Sequence, residues 1–306
     1  ICVILIAGET VDVEFAQYAT SLDAFTFTDQ SDYASGDYLT CNGSVFSGAG
    51  DDQISGDFVE SYPSLPGRWG ILNNGAIDMG TGNDRLIGRV SYNVLSPSFA
   101  PTLGELYGIK NIGTINTGSG NDVVEGKGLD QETYGIDNAG TIDTADGDDY
   151  IYGWVTDVYG SASNYASIVN HQNATIRTGS GNDTISGPGY IDGTGIRNYG
   201  LIDTGSGDDI VDVSIGGIRG SGTVNLGDGN DIFAGYGPSF VNGGSGTDFL
   251  VFSPGKYGIS FKGGDSYSIS RSDPFDGFNA AMSVQGFEYI GSNPLTPSLN
   301  GQTLTI

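Results

Sequence analysis

Short aliphatic and β-branched runs recur along this chain, each closed by Gly, Asn, Asp or Ser. No stretch has the period of an amphipathic helix, and the runs read as strand, turn, strand, turn, strand. Their register is kept by one cassette, seen as NTGSGNDVVEG at 116–126 and RTGSGNDTISG at 177–187. Eight copies occur, and their anchoring carboxylates are Asp52, Asp84, Asp122, Asp149, Asp183, Asp209, Asp231 and Asp248. Two positions beyond each lies an apolar residue (Ile54, Leu86, Val124, Ile151, Ile185, Val211, Phe233, Leu250). Seven positions before each lies a β-branched one (Val45, Ile77, Ile115, Ile142, Ile176, Ile202, Val224, Val241).

Successive anchors are 32, 38, 27, 34, 26, 22 and 17 residues apart. An invariant kernel with variable spacing predicts an all-β fold: a parallel β-solenoid whose coils differ in length through loops on one side. Stacked coils would bring equivalent residues about 4.8 Å apart. Ile77, Ile115, Ile142, Ile176 and Ile202 then form an interior ladder. Asn73, Asn111, Asn138, Asn170 and Asn198, from elements such as YGIKNIGTINTG and YGIDNAGTIDTA, form an amide ladder at a second turn. The motif occurs once per coil and most coils are long, so the predicted cross-section has three faces, and only the last two coils approach a two-faced roll.

Three segments follow from this pattern. Residues 1–45 are expected to be an N-terminal cap or assembly segment, 46–252 the repeat solenoid, and 253–306 a strand-rich C-terminal cap, because a solenoid leaves open edges. Insertions at 57–69, 89–107 and 154–167 are rich in Tyr, Ser and Pro and read as surface loops. ICVILIAG at residues 1–8 is too short to span a bilayer and lacks the basic flank of a signal peptide. It reads as a strand that either caps its own solenoid or adds to another copy of the chain.

Composition narrows the partners. Eleven Lys and Arg stand against 37 Asp and Glu, a formal charge of −26. That balance disfavours nucleic acid and anionic membranes and suits carboxylates that meet divalent cations. Cys2 and Cys41 either form one bridge or remain two thiols.

The cassette has the residues a calcium turn needs. Its glycine pairs are Gly48 and Gly50, Gly80 and Gly82, Gly118 and Gly120, Gly179 and Gly181, Gly205 and Gly207, Gly227 and Gly229, and Gly244 and Gly246. The fourth copy keeps only Gly147, with Ala145 in the first place. Glycine permits positive φ and lets carbonyls converge, and calcium takes six to eight hard oxygens. One turn cannot saturate the ion, so each Ca2+ is expected between successive coils, in a single row that couples metal binding to folding.

TGSGNDVVEG, TGSGNDTISG, LGDGNDIFAG and GGSGTDFLVF resemble the nonapeptide repeat of haemolysin-type (RTX) calcium-binding proteins. That resemblance implies a secreted protein that folds on meeting extracellular calcium. It covers the cassettes and, more loosely, the coils to about residue 252, and the tail looks like the region that follows such repeats. No G-x-S-x-G, HExxH or P-loop is present, and the single histidine, His171, reads as an unpartnered surface residue, so no catalytic residue is assigned. The expectation is a non-enzymatic calcium-stabilised structural protein of a cell-surface layer, sheath or filament, its partner a further copy of itself. The alternatives are an adhesin that binds glycans through Tyr-rich loops and, behind it, a polysaccharide-active enzyme.

Overall fold

A computed structural model describes residues 12–14, 20–24, 27–60, 69–92, 105–129, 133–156, 165–189, 194–271 and 280–306. These form the predicted parallel β-solenoid, with three stacked sheets. Each cassette Asp leads into a strand of the first sheet, for example Val123–Leu129. The chain next enters the second sheet (Thr133–Asn138), turns at an Asn, and forms a short strand of the third sheet (Thr141–Asp143). The following Gly-x-Gly-x-Asp turn returns it to the first sheet.

Each face contributes one inward row. Ile77, Ile115, Ile142, Ile176 and Ile202 stack in register on the third sheet. Ile71, Ile109, Ile136, Ile168 and Ile196 do so on the second. The first sheet supplies Ile54, Leu86, Val124, Ile151 and Ile185. All these side chains are buried, so a coil's central core is little more than three aliphatic groups meeting at the axis. A core this thin cannot hold register alone, and hydrogen-bond ladders at the corners supplement it.

The asparagine ladder is one of these. Asn73, Asn111, Asn138 and Asn170 each donate Nδ2 to Oδ1 of the next member, ending on Asn198, at 2.8–2.9 Å. Each Nδ2 also reaches a carbonyl of the following coil, as Asn138 does to Thr175 at 3.0 Å. Cys41 occupies the first rung, paired with Asn73. It is a free, buried thiol whose Sγ lies 3.5 Å from the Ala76 carbonyl oxygen, and burial pushes its pKa up to about 11. No disulfide is formed at Cys41, and Cys2 lies outside the described residues.

The structure narrows the expected loops. Strands Gln53–Glu60, Arg85–Tyr92 and Tyr150–Thr156 run into all three insertions, and Trp69–Asn73, Leu106–Asn111 and Ala166–Asn170 begin within them. Beyond the central core, the first and second sheets lie almost backbone to backbone: a Cβ on Gly88 would be 2.2 Å from the Gly108 carbonyl oxygen. Tyr38, Phe58, Val90 and Leu106 form a small separate core.

The stacking begins inside 1–45, where Tyr33–Gly36, Leu39–Cys41 and Ser44–Phe46 already pair with the next coil in all three sheets. The second sheet ends at Ile218–Arg219, and the 17-residue coil from Asp231 to Asp248 has only two faces. After it, Met282–Gln285 adds one parallel strand to the third sheet, and Ser266–Arg271, Lys256–Gly263 and Thr303–Thr305 extend that sheet antiparallel. Among the described residues no helix is long and apolar enough to cross a membrane.

Asn138→Asp tests the amide ladder. It keeps the shape but sets a carboxylate oxygen against two acceptors, and is expected to cost at least about 2 kcal/mol in denaturant unfolding. Unchanged stability would show that this ladder is not what fixes register.

Candidate functional site: a buried carboxylate row

At the corner between the third and first sheets, every predicted anchor Asp turns inward. Asp52, Asp84, Asp122, Asp149, Asp183, Asp209, Asp231 and Asp248 are at most 2% exposed. One oxygen of each is spoken for: Asp84 N–H donates to Asp122 Oδ1 at 2.8 Å, Asp122 N–H to Asp149 Oδ1 at 2.8 Å, and so on along the row. The Asp84 carbonyl in turn accepts the N–H of Val123 at 2.8 Å, so two bonds clamp each pair of rungs. The other oxygen is not matched. Oδ2 of all eight is buried without a hydrogen-bond partner.

The row is longer than the cassettes. Asp32 N–H donates to Asp52 Oδ1 at 2.7 Å, and Asp248 N–H to Glu288 Oε2 at 2.7 Å, so Asp32 and Glu288 are its end rungs. Neither follows a Gly-x-Gly turn, which hid them. A weaker signal was present: DYASG at 32–36 has the same acid-x-apolar-x-Gly form as DQISG at 52–56, and EYIG at 288–291 nearly so.

Glycine makes the turn possible. Gly118 and Gly120 have φ of 95° and 128°, and a Cβ on Gly118 would lie 1.9 Å from the Gly80 carbonyl oxygen. The same close approach recurs at the paired glycines Gly80 and Gly82, Gly205 and Gly207, and Gly227 and Gly229. The carbonyls of these glycines therefore point along the stack. Gly80 O accepts Ser119 N–H at 3.0 Å, and the Ser119 carbonyl accepts Gly82 N–H at 2.8 Å. Ala145 keeps the turn with φ of 68°, in the left-handed region that disfavours a side chain.

A second ladder runs in the opposite sense one residue outward. Asn121 N–H donates back to Asn83 Oδ1 at 2.9 Å, Asp148 N–H to Asn121 Oδ1 at 2.9 Å, and Asn182 N–H to Asp148 Oδ1 at 2.7 Å. These side chains are exposed. Inner and outer ladders oppose each other and lock the corner against slip in either direction.

Burial acts on the inner row as expected. Loss of water pushes Asp52, Asp209 and Asp248 up to about 6 and Asp84, Asp149 and Asp231 up to about 7, while ladder bonds pull the other way. Asp122 and Asp183 are raised for the same reason, and the N–H bonds they accept from Asp84 and Asp149 hold them partly down.

Can these residues hold a cation? Among the described residues no three His, Cys, Asp or Glu side chains converge on one point. Each gap between rungs is instead flanked by two carboxylates with one free oxygen apiece. Neutral oxygens stand beside them: the Thr144 hydroxyl lies against Asp149 and 3.4 Å from the Thr178 carbonyl, and Thr204 Oγ1 donates to the Leu226 carbonyl at 2.6 Å. A carbonyl has two lone pairs, so a ladder bond leaves one free. Carboxylate pairs completed by hydroxyl and carbonyl oxygens fit a hard cation and offer nothing to a soft one. No protein-family model, curated protein or solved structure matches the chain.

Two predictions follow from the corner. Gly118→Ala is expected to lose at least about 2 kcal/mol, whereas Ala145→Gly gains up to about 1 kcal/mol by relieving the left-handed strain. Equal effects in a thermal melt would refute this turn geometry. The second concerns pH. These carboxyls have higher pKa values folded than unfolded, so their contribution is fully present below about pH 4. It is lost as pH rises through the folded values near 6 and 7. In chelator, stability should fall from pH 4.5 to 7.5, and a rise would overturn this account.

Proposed function

We propose that this is a secreted structural β-solenoid in which a single row of Ca2+ ions, lying between successive coils, neutralises the buried carboxylates and so permits folding at neutral pH. The observation that carries the proposal is the run of eight buried Oδ2 atoms without a partner.

The chain's own repeats sharpen it. At the exposed outer ladder the residue varies: Ser31, Asp51, Asn83, Asn121, Asp148, Asn182, Asp208, Asn230 and Thr247. Only an accepting oxygen is needed there. The inner position needs the same accepting oxygen, and Asn would supply it without a charge to desolvate, yet all eight copies carry Asp. A charge kept where a neutral isostere would make the same bond has a use, and the use is to meet an opposite charge. The resemblance of the cassettes to the haemolysin-type repeat supports the same reading. Calcium bound here would supply charge neutralisation and nothing else. Asp on adjacent rungs, with Ser47, Thr117, Thr144, Thr178 and Thr204 beside them, would hold it. Sites that fold only when loaded suit the high calcium outside cells, where modules bind with Kd of about 0.1–1 mM.

On this reading the folded rods assemble into a layer, sheath or filament. The strand proposed to link copies, residues 1–8, lies outside the described residues. Deleting it should abolish polymers and leave a folded monomer. The primary test is light scattering with circular dichroism at pH 7.5, in millimolar calcium and in chelator. Conversion from expanded chains to large folded particles on adding calcium is expected. A compact monomer would keep the calcium role and remove the filament, and no response would remove both.

A sharper test is Asp149→Asn. It should stabilise the calcium-free protein at neutral pH, by on the order of 1–3 kcal/mol, and destabilise the calcium-loaded one. A change of the same sign in both conditions excludes an ion at that rung.

A further inference from the structure

The outer face of the second sheet carries a groove of about 460 Å³ that has no part in the carboxylate row. It crosses four successive coils, from Lys110 and Ile112 to Arg197 and Tyr199. One wall is aromatic, with the Tyr107 and Tyr134 rings stacked at 5.4 Å and 14° between planes. Opposite, Tyr199 stands 46% exposed at the Asn turn.

The charges in this groove are unusual for the chain. A protein with only 11 Lys and Arg and one His gathers Lys110, His171 and Arg197 here. The acids beside them are already engaged. Asp137, 7% exposed, has Oδ1 2.6 Å from His171 Nε2 and Oδ2 3.6 Å from Lys110 Nζ. Glu105 accepts from the Tyr107 hydroxyl at 2.5 Å and the Tyr134 hydroxyl at 3.3 Å. His171 is thus partnered, contrary to the sequence expectation. The half-buried Arg197 guanidinium makes no hydrogen bond or ion pair among the described residues.

We propose that this groove binds an acidic polysaccharide, with Arg197 taking the carboxylate of a uronic acid residue and Tyr199 packing against its sugar ring. A guanidinium recognises a planar carboxylate through two parallel hydrogen bonds. A tyrosine gives a ring of C–H groups an apolar face and a hydroxyl at its edge. Asp137 and Glu105, their charges already met within the groove, keep further lone pairs for sugar hydroxyls, with His171 beside them. The groove volume is in the range of small-ligand sites. Coils repeat at about 4.8 Å along it, close to the length of one sugar residue in an extended chain, so a polymer can meet successive rungs in step. An acidic peptide fits less well, because the strands flooring the groove pair on both sides and leave no backbone edge for strand addition. The site is on the second sheet and its Asn turn, and it is independent of the calcium reading.

The test is calorimetric titration of the full chain with tri-galacturonate, at fixed free calcium because uronates chelate it. Cellotriose, hexaglutamate and inorganic phosphate serve as competitors. Saturable binding is expected, with affinity at least about ten-fold above cellotriose and a loss of about ten-fold or more in Arg197→Gln. Tyr199→Ala, at an exposed turn that the fold does not need, should weaken tri-galacturonate and leave phosphate unaffected. Absence of saturable binding would overturn the proposal, as would an Arg197→Gln protein that melts and binds like the parent. Displacement by phosphate or hexaglutamate at equal concentration would reduce the groove to a general oxyanion site and overturn the sugar assignment.

Discussion

The architecture depends on placing one carboxylate per coil inside the corner, where its first oxygen accepts the backbone N–H of the preceding coil. This bond fixes axial register where a core of three aliphatic side chains could not, since Ile, Leu and Val rows slide with little penalty until a directional bond stops them. Its consequence is a line of eight desolvated acids about 4.8 Å apart, each with an oxygen left over. Desolvation and mutual repulsion both oppose ionisation of such a row. The fold therefore requires protons or cations along its edge, and the surrounding −26 charge offers no help.

The two other polar ladders show that the choice of side chain follows partner supply. At the second turn the chain uses Asn, because Nδ2 has a carbonyl of the next coil to meet, as Asn111 meets Thr141 at 2.9 Å. On the outer corner it uses Asn or Asp, with Ser or Thr at the ends, because water completes whichever is present. At the inner corner all eight cassettes use Asp, whose first oxygen is matched by the neighbouring rung and whose second is not. Amide where both ends are matched, carboxylate where one oxygen is left over: that asymmetry is what the proposed ion row would answer.

Much of this was legible because a repeat turns weak local signals into aligned ones. The three-faced section, the Ile and Asn ladders and the inward apolar positions all follow from offsets around the Asp. Asp32 and Glu288 lie outside the Gly-x-Gly pattern, because glycine is needed only where a carbonyl of the preceding coil crowds the Cα, as Gly80 O crowds Gly118. The insertions are shorter than their Tyr-, Ser- and Pro-rich composition indicates, because strands persist into them by pairing with the next coil, as Gln53–Glu60 does with Arg85–Tyr92. The partner of His171 was invisible for a different reason: Asp137 is 34 residues away, and only the coil stacking brings the two together.

The same stacking decides where variation is tolerated. The cassette corner cannot change length, because opposed ladders fix it from both sides, and the Asn corner is held by amides, with His171 to Asn173 the one extra bulge there. Among the described residues the corner between the first and second sheets has no such ladder, and it is between strands of those two sheets that the length of chain per coil differs most. Coil spacings of 26 to 38 residues in the middle of the chain leave the register of the carboxylates undisturbed. The second sheet borders this permissive corner, and its outward side chains carry no ladder, so Tyr107, Lys110, Asp137, His171 and Arg197 are free to differ from rung to rung. A solenoid built this way separates its tasks by corner: one edge is constrained by charge and hydrogen bonding, and the face remote from it is where a specific surface can be assembled without cost to the stack.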